Sequence, residues 1–162
     1  MSQVMEYQMF INGQWTPGRT GELMEVINPS TQEVVATVPR ASRDDVDDAI
    51  GFARETFESG VWSNKSMEER AAVLMNAAIL AIANKDRMAW LESLTSGATM
   101  RRTISVDAAE VSATLLLTGM IAKELPIVEH SFFSPPWVAP MHTFWKREPI
   151  GVCAGITPWN FP

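Results

Sequence analysis

The side chains that could do chemistry in this sequence are few, and the most informative of them lie at residues 149–162. An apolar stretch, 150–156, runs directly into a turn that is bracketed by Pro158 and Pro162 and displays one carboxamide, Asn160. A carboxamide donates and accepts hydrogen bonds, but in a proline-rich turn its usual role is to shape the backbone. Taken alone, these residues favour that structural role for Asn160.

The single cysteine, Cys153, is the other candidate for chemistry, because a thiolate is a strong nucleophile. Its position inside the apolar stretch argues against that role, since no histidine or lysine lies near it in the sequence to favour the thiolate. We therefore predict that Cys153 is buried and behaves as a small, inert apolar side chain. A lone cysteine also excludes an internal disulfide framework and a multi-cysteine metal site.

The histidines and the basic residues indicate neither a metal site nor a nucleic-acid surface. His130 and His142 show no ligand-like spacing, so we predict surface or partner-contact roles for them and no bound metal. The formal net charge is −6, and the adjacent basic pairs are limited to 101–102 and 146–147. Because phosphate binding needs clustered lysine and arginine, we predict no nucleic-acid partner.

Composition places the chain among ordinary globular proteins. Of its 162 residues, 46% are apolar and 20% are charged, which is enough apolar surface for one core. The first basic residue is Arg19, so no signal or transit peptide is indicated and we predict a cytoplasmic protein. The longest unbroken apolar run, 77–83, is far shorter than the roughly 20 residues that span a bilayer, so we predict no membrane partner.

Turn and strand signals predict a β-rich N-terminal region. The dipeptide Asn12-Gly13 separates two short apolar segments, which predicts a hairpin because both turn positions need a positive φ. Two further strands are predicted at 25–29 and 32–39, around a Pro-Ser-Thr turn. The side chains predicted to share one face of the second strand are Val34, Ala36 and Val38.

Capping signals open two helices. Ser42 begins a Ser-x-x-Asp box, and a stripe of apolar residues at helical spacing then predicts a face packed on the core: Val46, Ala49, Ile50, Ala53 and Phe57. Ser66 begins a second box. The interior of that helix, 71–83, is alanine-rich and nearly all apolar, which predicts burial on more than one side, with a break at 84–86.

Two more helices and a connector precede the apolar stretch. A third helix is predicted to end near Gly97, and a fourth to run from about Arg102 to Glu124. Residues 126–140 contain four prolines and an aromatic cluster, which predicts a connector, followed by a strand at 141–147. The aromatic side chains either contact a partner or pack back on the same chain.

The apolar stretch 150–156 lacks polar alternation, which is typical of a strand covered on both faces within a parallel sheet. A lone parallel strand leaves its backbone groups unpaired and its apolar side chains in water. We therefore expect more protein after Pro162 and interpret the chain as the front part of a larger enzyme.

Three local patterns resemble the aldehyde dehydrogenase superfamily: Met9-Phe-Ile-Asn-Gly-Gln-Trp15, Val26-Ile-Asn-Pro-Ser-Thr31 and Arg147-Glu-Pro-Ile-Gly-Val-Cys-Ala-Gly-Ile-Thr-Pro-Trp-Asn-Phe-Pro162. The first two patterns are moderately specific. Pro-Trp-Asn-Phe-Pro after an apolar strand is highly specific to that superfamily. The order of the predicted elements is also similar, so the resemblance covers the whole chain.

The resemblance implies an α/β fold, of which this chain is the N-terminal part. It comprises β-hairpins, a helical segment, a protruding oligomerisation strand and the first strand of a Rossmann-like cofactor domain. The implied boundaries are 1–125 for the β-hairpin and helical part of the cofactor-binding domain, 126–147 for the connector and oligomerisation strand, and 148–162 for the truncated start of the Rossmann-like core. In that superfamily subunits pair through the protruding strand, so the full enzyme is expected to be a homodimer or homotetramer.

The resemblance also implies a cofactor. In the superfamily, residues matching Ile156, Thr157, Pro158 and Trp159 line a nicotinamide dinucleotide, so NAD or NADP is the expected cofactor. Residues 151–155 do not form the G-x-G-x-x-G fingerprint, so this prediction depends on the resemblance alone.

By the same resemblance, Asn160 matches the oxyanion-hole asparagine. There the side-chain N–H donates to the oxygen of the aldehyde once a cysteine thiolate has added to the carbonyl carbon. The nucleophilic cysteine of the superfamily comes much later in the chain than Cys153. Relatives that build a monovalent cation site carry Asp and Gly-Lys-Pro where this chain has 95–99, so no metal is assigned.

The implied function is NAD(P)-dependent oxidation of a small-molecule aldehyde to a carboxylic acid, through a thiohemiacetal and a thioester in the full-length enzyme. Residues 1–162 lack the nucleophile and the glutamate base, so this chain alone is expected to be inactive. One alternative is a coenzyme A-acylating semialdehyde dehydrogenase, which Trp159 disfavours. The other is a short non-catalytic binding or relic protein.

Overall fold

The computed structural model of the chain describes residues 4–131, 137, 141, 143–158 and 160, and its elements run from strands into helices. The strands that come first are β1 (Met5–Glu6), β2 (Met9–Ile11), β3 (Gln14–Thr16), β4 (Leu23–Ile27) and β5 (Val34–Pro39). The helices are α1 (Arg43–Glu58), α2 (Met67–Ala83), α3 (Lys85–Ser96), α4 (Met100–Arg102) and α5 (Ala108–Glu124), with a π-helical turn, Thr103–Asp107, between the last two. Strands β6 (Val128–Ser131) and β7 (Thr143–Lys146) follow. The predicted α/β class is confirmed.

The predicted hairpin is present. Strands β2 and β3 pair antiparallel, with Met9 opposite Thr16, and the turn residues Asn12 and Gly13 have φ values of 51° and 75°. Two positive φ values in a two-residue loop match the right-handed twist of the flanking strands.

The first sheet has the strand order β1-β5-β4. Strands β4 and β5 pair antiparallel, as predicted, and join through a turn in which the Asn28 side-chain oxygen accepts from the Ser30 N–H at 2.9 Å. Ala36 of β5 is buried. Strand β1 adds to β5 in parallel, with Met5 opposite Ala36. The sequence did not predict β1, because two residues show no periodicity.

A capping box begins α1, as predicted. The carboxylate of its acidic residue, Asp45, also accepts a hydrogen bond from the turn that contains Arg19. Asp45 is only 4% exposed, and its carboxylate accepts from the Ser42 N–H at 2.9 Å and from the Arg19 N–H at 3.2 Å. The Ser42 hydroxyl donates to the same carboxylate at 2.7 Å. This hydroxyl bond, followed by the backbone N–H bonds and the charge of Arg19, lowers the pKa of Asp45 below its ordinary value.

The apolar stripe of α1 does not form a buried core in the described chain. The buried residue of α1 is Asp45, whereas Val46 and Ile50 are about half exposed, at 47% and 52%. The expectation that this face packs tightly on the core is therefore wrong for the described residues. The stripe instead borders an open groove.

Helices α2 and α5 pack together through small residues. Ala71 and Ala78 of α2 are buried, and Gly119 of α5 lies so close that a Cβ added there would stand 3.3 Å from the Ala71 carbonyl oxygen. The opposite side of α2 is exposed, with Leu80 at 64%. The prediction that α2 is buried on more than one side is therefore wrong, because one alanine-rich side makes the contact with α5 and the other has no neighbour among the described residues.

Helix α3 ends near Gly97, as the sequence predicted. Asn84 closes α2 and precedes α3, and α3 ends at Gly97, whose φ is 77° and whose N–H donates to the Ser93 carbonyl at 3.1 Å. This left-handed cap suits glycine. A Cβ on Gly97 would also stand 2.8 Å from Cγ of Pro29, so the turn between β4 and β5 lies against this helix end.

The predicted fourth helix runs from Met100 to Glu124 but is interrupted by the π-helical turn, which the sequence pattern did not indicate. Thr103, in that turn, is fully buried, and Arg102 pairs with Asp107 across it at 3.4 Å. By length and composition alone this run could cross a membrane, with a mean hydropathy of 1.4 over its apolar window. One side of it packs on α2, so the run takes part in the tertiary fold of the described chain.

Strands β6 and β7 form an exposed two-stranded ribbon. Strand β7 confirms the predicted strand, but it pairs antiparallel with β6, which lies inside the predicted connector; that connector is therefore partly strand. Arg147 holds the base of the ribbon, donating to the Pro126 carbonyl at 2.8 Å and pairing with Glu129 at 2.5 Å. Trp145 is 71% exposed. Most of the predicted aromatic cluster, 132–136, and His142 lie outside the described residues.

The strand predicted at 150–156 is not formed. These residues have no strand partner among the described residues, and an isolated strand cannot satisfy its backbone groups. The physical requirement for neighbouring strands therefore overrides the β propensity of the apolar stretch.

We predict that Gly119→Val destabilises the protein by about 1–3 kcal/mol, because its side chain would overlap α2. An added Cβ already stands 3.0 Å from Cγ of Met75. Chemical denaturation measures the change. Gly51→Val is the matched control, since a Cβ at this α1 glycine meets nothing within 4 Å. Equal stability of the two variants would contradict the close helix contact.

We predict that Asp45→Asn lowers the melting temperature in a pH-dependent way. The folded pKa of Asp45 is lowered, so its stabilisation is complete above the ordinary carboxyl pKa of about 3.9 and is lost as the pH falls through the folded pKa. The melting temperatures of wild type and variant should therefore begin to converge below about pH 4 and meet once the pH is below the folded pKa of Asp45. Asp47→Asn, at an exposed carboxylate of the same helix, serves as the charge control. A pH-independent difference would contradict this role of Asp45.

Candidate functional site

The predicted site residues lie on one exposed segment. Ile156 is 97% exposed, Thr157 and Pro158 are exposed, and Asn160 lies exposed in a turn. Trp159 lies outside the described residues. The four described residues are near one another because they are close in the sequence. All four are exposed, so they do not pack against another element of the described chain.

The backbone of this segment is free to bind a ligand. Among the described residues, no turn or loop backbone hydrogen bond involves 150–158. Peptide N–H and C=O groups must find a partner when they are buried, so a ligand that covered this segment would meet unpaired donors and acceptors. The segment also presents the hydroxyl of Thr157 and the exposed apolar side chain of Ile156.

Cys153 is exposed, and its thiol donates to the Gly151 carbonyl at 3.7 Å. The prediction that this cysteine is buried is therefore wrong for the described chain. The reason is the same as for the missing strand: the neighbours that would cover a central strand are not among the described residues.

Residues 152–153, which precede the predicted site residues, lie beside a groove between α1 and the hairpin, which we call the α1 groove. Its volume is about 340 Å³. One side is made by Met9 and Ile11 of β2, and another by the apolar stripe of α1, and Val152 and Cys153 complete it. The residues that line the groove are Met9, Ile11, Ala41, Asp45, Val46, Ala49, Ile50, Ala53, Val152 and Cys153.

Gly151 lies beside the C-terminal half of α1. Its φ of 104° is a conformation that only glycine adopts readily. A Cβ built on Gly151 would stand 3.9 Å from Cε1 of Phe57, which is an ordinary contact distance. Glycine is therefore required here by the backbone conformation, and the chain passes directly by the Phe57 ring.

A second cavity, of about 550 Å³, lies on the other side of this segment. Trp62, Arg70 and Ile127 line it together with residues 147–151. Nε of Arg70 is buried and has no hydrogen-bond partner in the described part of the chain. The sequence did not single out Arg70, because an arginine in the first turns of a helix usually lies in solvent.

Sequence reasoning missed most of the groove. The stripe of α1 was recognised from its spacing, but nothing in the spacing showed that Ile50 and Phe57 would face residues 151–153. The buried carboxylate of Asp45 was recognised as part of a capping box, and its bond to Arg19 was not. Such contacts join positions far apart in the sequence, which periodicity does not report.

No metal centre is apparent in the described ranges, where no three histidine, cysteine or acidic side chains converge. The Thr95 hydroxyl donates to the Leu91 carbonyl at 2.9 Å. That hydroxyl makes a helix-internal bond.

Known proteins share both the sequence and the fold of this chain. Residues 15–162 match the profile of the aldehyde dehydrogenase family. The chain is 34% identical, over 98% of its length, to the mitochondrial 10-formyltetrahydrofolate dehydrogenase of Homo sapiens, of which it covers 17%.

Among solved structures, the chain is similar to a betaine aldehyde dehydrogenase of Staphylococcus aureus in complex with NAD+, with a TM-score of 0.87, 28% identity, and coverage of 98% of this chain and 30% of that one. It is also similar to an aldehyde dehydrogenase of Bacillus cereus in complex with NAD+, with a TM-score of 0.75 and 29% identity, over 80% of this chain and 26% of that one.

These coverages confirm the predicted fold: the chain corresponds to an N-terminal portion and spans about 30% of the solved relative that matches it over nearly its whole length. The matched family profile includes the candidate cofactor segment and the turn that carries Asn160. The chain belongs to the aldehyde dehydrogenase family.

Proposed function

We propose that the whole protein oxidises an aldehyde to a carboxylic acid with NAD or NADP as the hydride acceptor. The observation that carries this proposal is that residues 156–158 and Asn160 are exposed, which places a carboxamide near backbone groups without partners in a chain of the aldehyde dehydrogenase family. The predicted cytoplasmic location is part of the same proposal.

In this proposal Ile156, Thr157, Pro158 and Trp159 form one wall of the cofactor site. Two similar enzymes, from Staphylococcus aureus and Bacillus cereus, were solved in complex with NAD+, which supports a nicotinamide dinucleotide. When bound, the nicotinamide supplies the acceptor for the hydride that leaves the aldehyde carbon. The protein segment supplies an apolar contact, a hydroxyl and backbone donors.

Asn160 is proposed to stabilise the oxyanion. When a cysteine thiolate adds to the aldehyde carbonyl, the oxygen gains negative charge and the Asn160 N–H donates to it. A neutral amide stabilises this charge while leaving the carbonyl able to re-form and expel the hydride. A cationic donor would hold the alkoxide more tightly and slow that step.

The cysteine nucleophile and the glutamate that activates water are proposed to lie outside residues 1–162. Cys153 does not take the nucleophile's role in this proposal, because its thiol donates to the neighbouring Gly151 carbonyl and no histidine or lysine lies near it in the sequence. Water then hydrolyses the thioester to the carboxylic acid. Residues 1–162 alone are expected to be inactive.

Self-association is proposed to use the ribbon of β6 and β7. Trp145 and Phe144 on β7 are largely exposed, and an exposed two-stranded ribbon offers unpaired edges to a second copy. Subunits that pair through such edges form closed symmetric assemblies, here a homodimer or homotetramer.

We predict that the full-length protein reduces NAD+ or NADP+ in the presence of a panel of aldehydes, measured as the absorbance of the reduced nicotinamide. The carboxylic acid should appear in the same amount with and without coenzyme A. Residues 1–162 expressed alone serve as the matched control and should show no turnover. Product that appears only as an acyl-coenzyme A would instead indicate the acylating branch, and no turnover with any aldehyde would contradict the proposal.

We predict that Asn160→Ala lowers kcat of the full-length enzyme by about 10²–10³, the usual effect of removing one oxyanion donor. The Kd for NAD+ should stay nearly unchanged, because the amide acts on the aldehyde oxygen. Asn160→Asp, which keeps the size but removes the donor, should behave similarly. Unchanged rapid-quench acylation kinetics in both variants would contradict this role.

A further inference from the structure

We propose that Arg147 is a positioning residue for self-association, because it joins the two strands of the ribbon, β6 and β7, at their base. A second copy of the chain then meets a ribbon that is already ordered. This inference rests on the proposed self-association through that ribbon and adds the residue that holds the ribbon in shape. In this proposal Arg147 acts through the ribbon rather than by touching the second copy.

Arg147 makes three contacts with the chain around the start of β6. Its backbone N–H donates to the Ile127 carbonyl at 2.9 Å, which extends the strand ladder one residue beyond the last pair of the ribbon. Its side chain donates to the Pro126 carbonyl at 2.8 Å and pairs with the Glu129 carboxylate at 2.5 Å. One residue therefore ties the end of β7 to the start of β6 through both its backbone and its side chain.

These contacts lie close to the end of α5. The Leu125 N–H donates to the Ile121 carbonyl at 3.0 Å, which is the last turn of that helix. Pro126 follows directly, and its ring fixes the φ of the residue that leaves the helix. Arg147 therefore holds the returning strand beside the point at which the outgoing strand leaves α5.

The ribbon is short, so these contacts are a large part of what orders it. Each strand has four residues, and every residue of β7 is exposed. An isolated pair of strands is only marginally stable in water. An exposed ion pair alone contributes little, but a guanidinium that also donates to a backbone carbonyl is held by charge-assisted hydrogen bonds, which are stronger.

Arg147 also balances a charge on the face of the ribbon that carries Trp145. Successive side chains of a strand alternate between its faces, so Trp145 and Arg147 share one face. Glu129 lies directly opposite Trp145, whose side chain is 71% exposed. Without Arg147, the Glu129 carboxylate would lose its partner beside this ring, and covering it with a second copy would cost free energy.

An ordered ribbon favours association for an entropic reason. A second copy that binds a loosely joined ribbon must order it, and this cost weakens the complex. A ribbon already joined at its base loses less conformational freedom when it binds. Differences of this kind between related complexes appear mainly in the rate of dissociation.

The test measures subunit exchange in the full-length protein. Two pools, one labelled with a donor dye and one with an acceptor dye, are mixed, and the rise in energy transfer gives the exchange rate. Arg147→Ala should exchange about tenfold faster than wild type, as expected when a hydrogen bond to a charged group is lost. Arg147→Lys keeps the charge but not the planar guanidinium, and should recover part of this loss.

Backbone hydrogen exchange shows whether the effect is local. In Arg147→Ala it should speed up at 127–131 and 143–147 and stay unchanged in α1 and α2, because only the ribbon loses its contacts. If Arg147→Ala does not fold, Glu129→Gln tests the charge pair by itself. It should exchange subunits about three- to fivefold faster than wild type, the upper range for one exposed ion pair.

The matched control is Lys146→Ala. Lys146 precedes Arg147 and pairs with Glu148 at 2.6 Å, but this exposed pair does not join the two strands. Its loss should leave subunit exchange within about twofold of wild type.

Wild-type exchange in a folded Arg147→Ala, or in Glu129→Gln where that variant carries the test, would overturn the role of Arg147 alone. Equal acceleration in the Lys146→Ala control would do the same. A wild-type protein that sediments as a monomer would overturn the proposed self-association, and this role with it, while leaving the proposed oxidation of aldehydes in place.

Discussion

The buried carboxylate of Asp45 connects two parts of the chain that are far apart in the sequence. It accepts hydrogen bonds from Ser42, at the start of α1, and from the backbone of Arg19, in the turn that follows the hairpin. A nearly buried carboxylate is tolerated because several donors satisfy it. The relative placement of hairpin and helix, and hence the shape of the α1 groove, depends on this group.

The rest of the described structure is held by small residues in close contact. Apart from Pro39, its buried apolar side chains are alanines, and Gly119 allows α2 and α5 to approach closely. Large apolar side chains, such as Ile79 on α2 and Ile50 on α1, lie largely at the surface of the described chain. Burial of small residues stabilises less per residue than burial of large ones, so the described helices depend on backbone proximity more than on interlocking side chains.

The candidate site combines a capped helix with an exposed segment that begins beside it. The helix is α1, and Gly151 lies beside its C-terminal half; the segment is 156–160, which is exposed where it is described. This division is typical of binding sites, in which loops carry the functional groups and regular elements position them. Similar enzymes were solved in complex with NAD+.

Local sequence signals determined the elements of this protein. Asn12-Gly13 predicted the hairpin because only certain residues adopt two positive φ values, and the boxes at Ser42 and Ser66 predicted two helix starts because their side chains satisfy free N–H groups. The family pattern around Asn160 indicated the site. Tertiary structure decided the contacts between distant residues, such as the hydrogen bond from the Arg19 N–H to Asp45 and the pairing of β6 with β7. It also decided that Cys153 is exposed and that 151–153 lie near Ile50 and Phe57. Periodicity reports which side chains share a face, but what covers that face depends on the path of the rest of the chain.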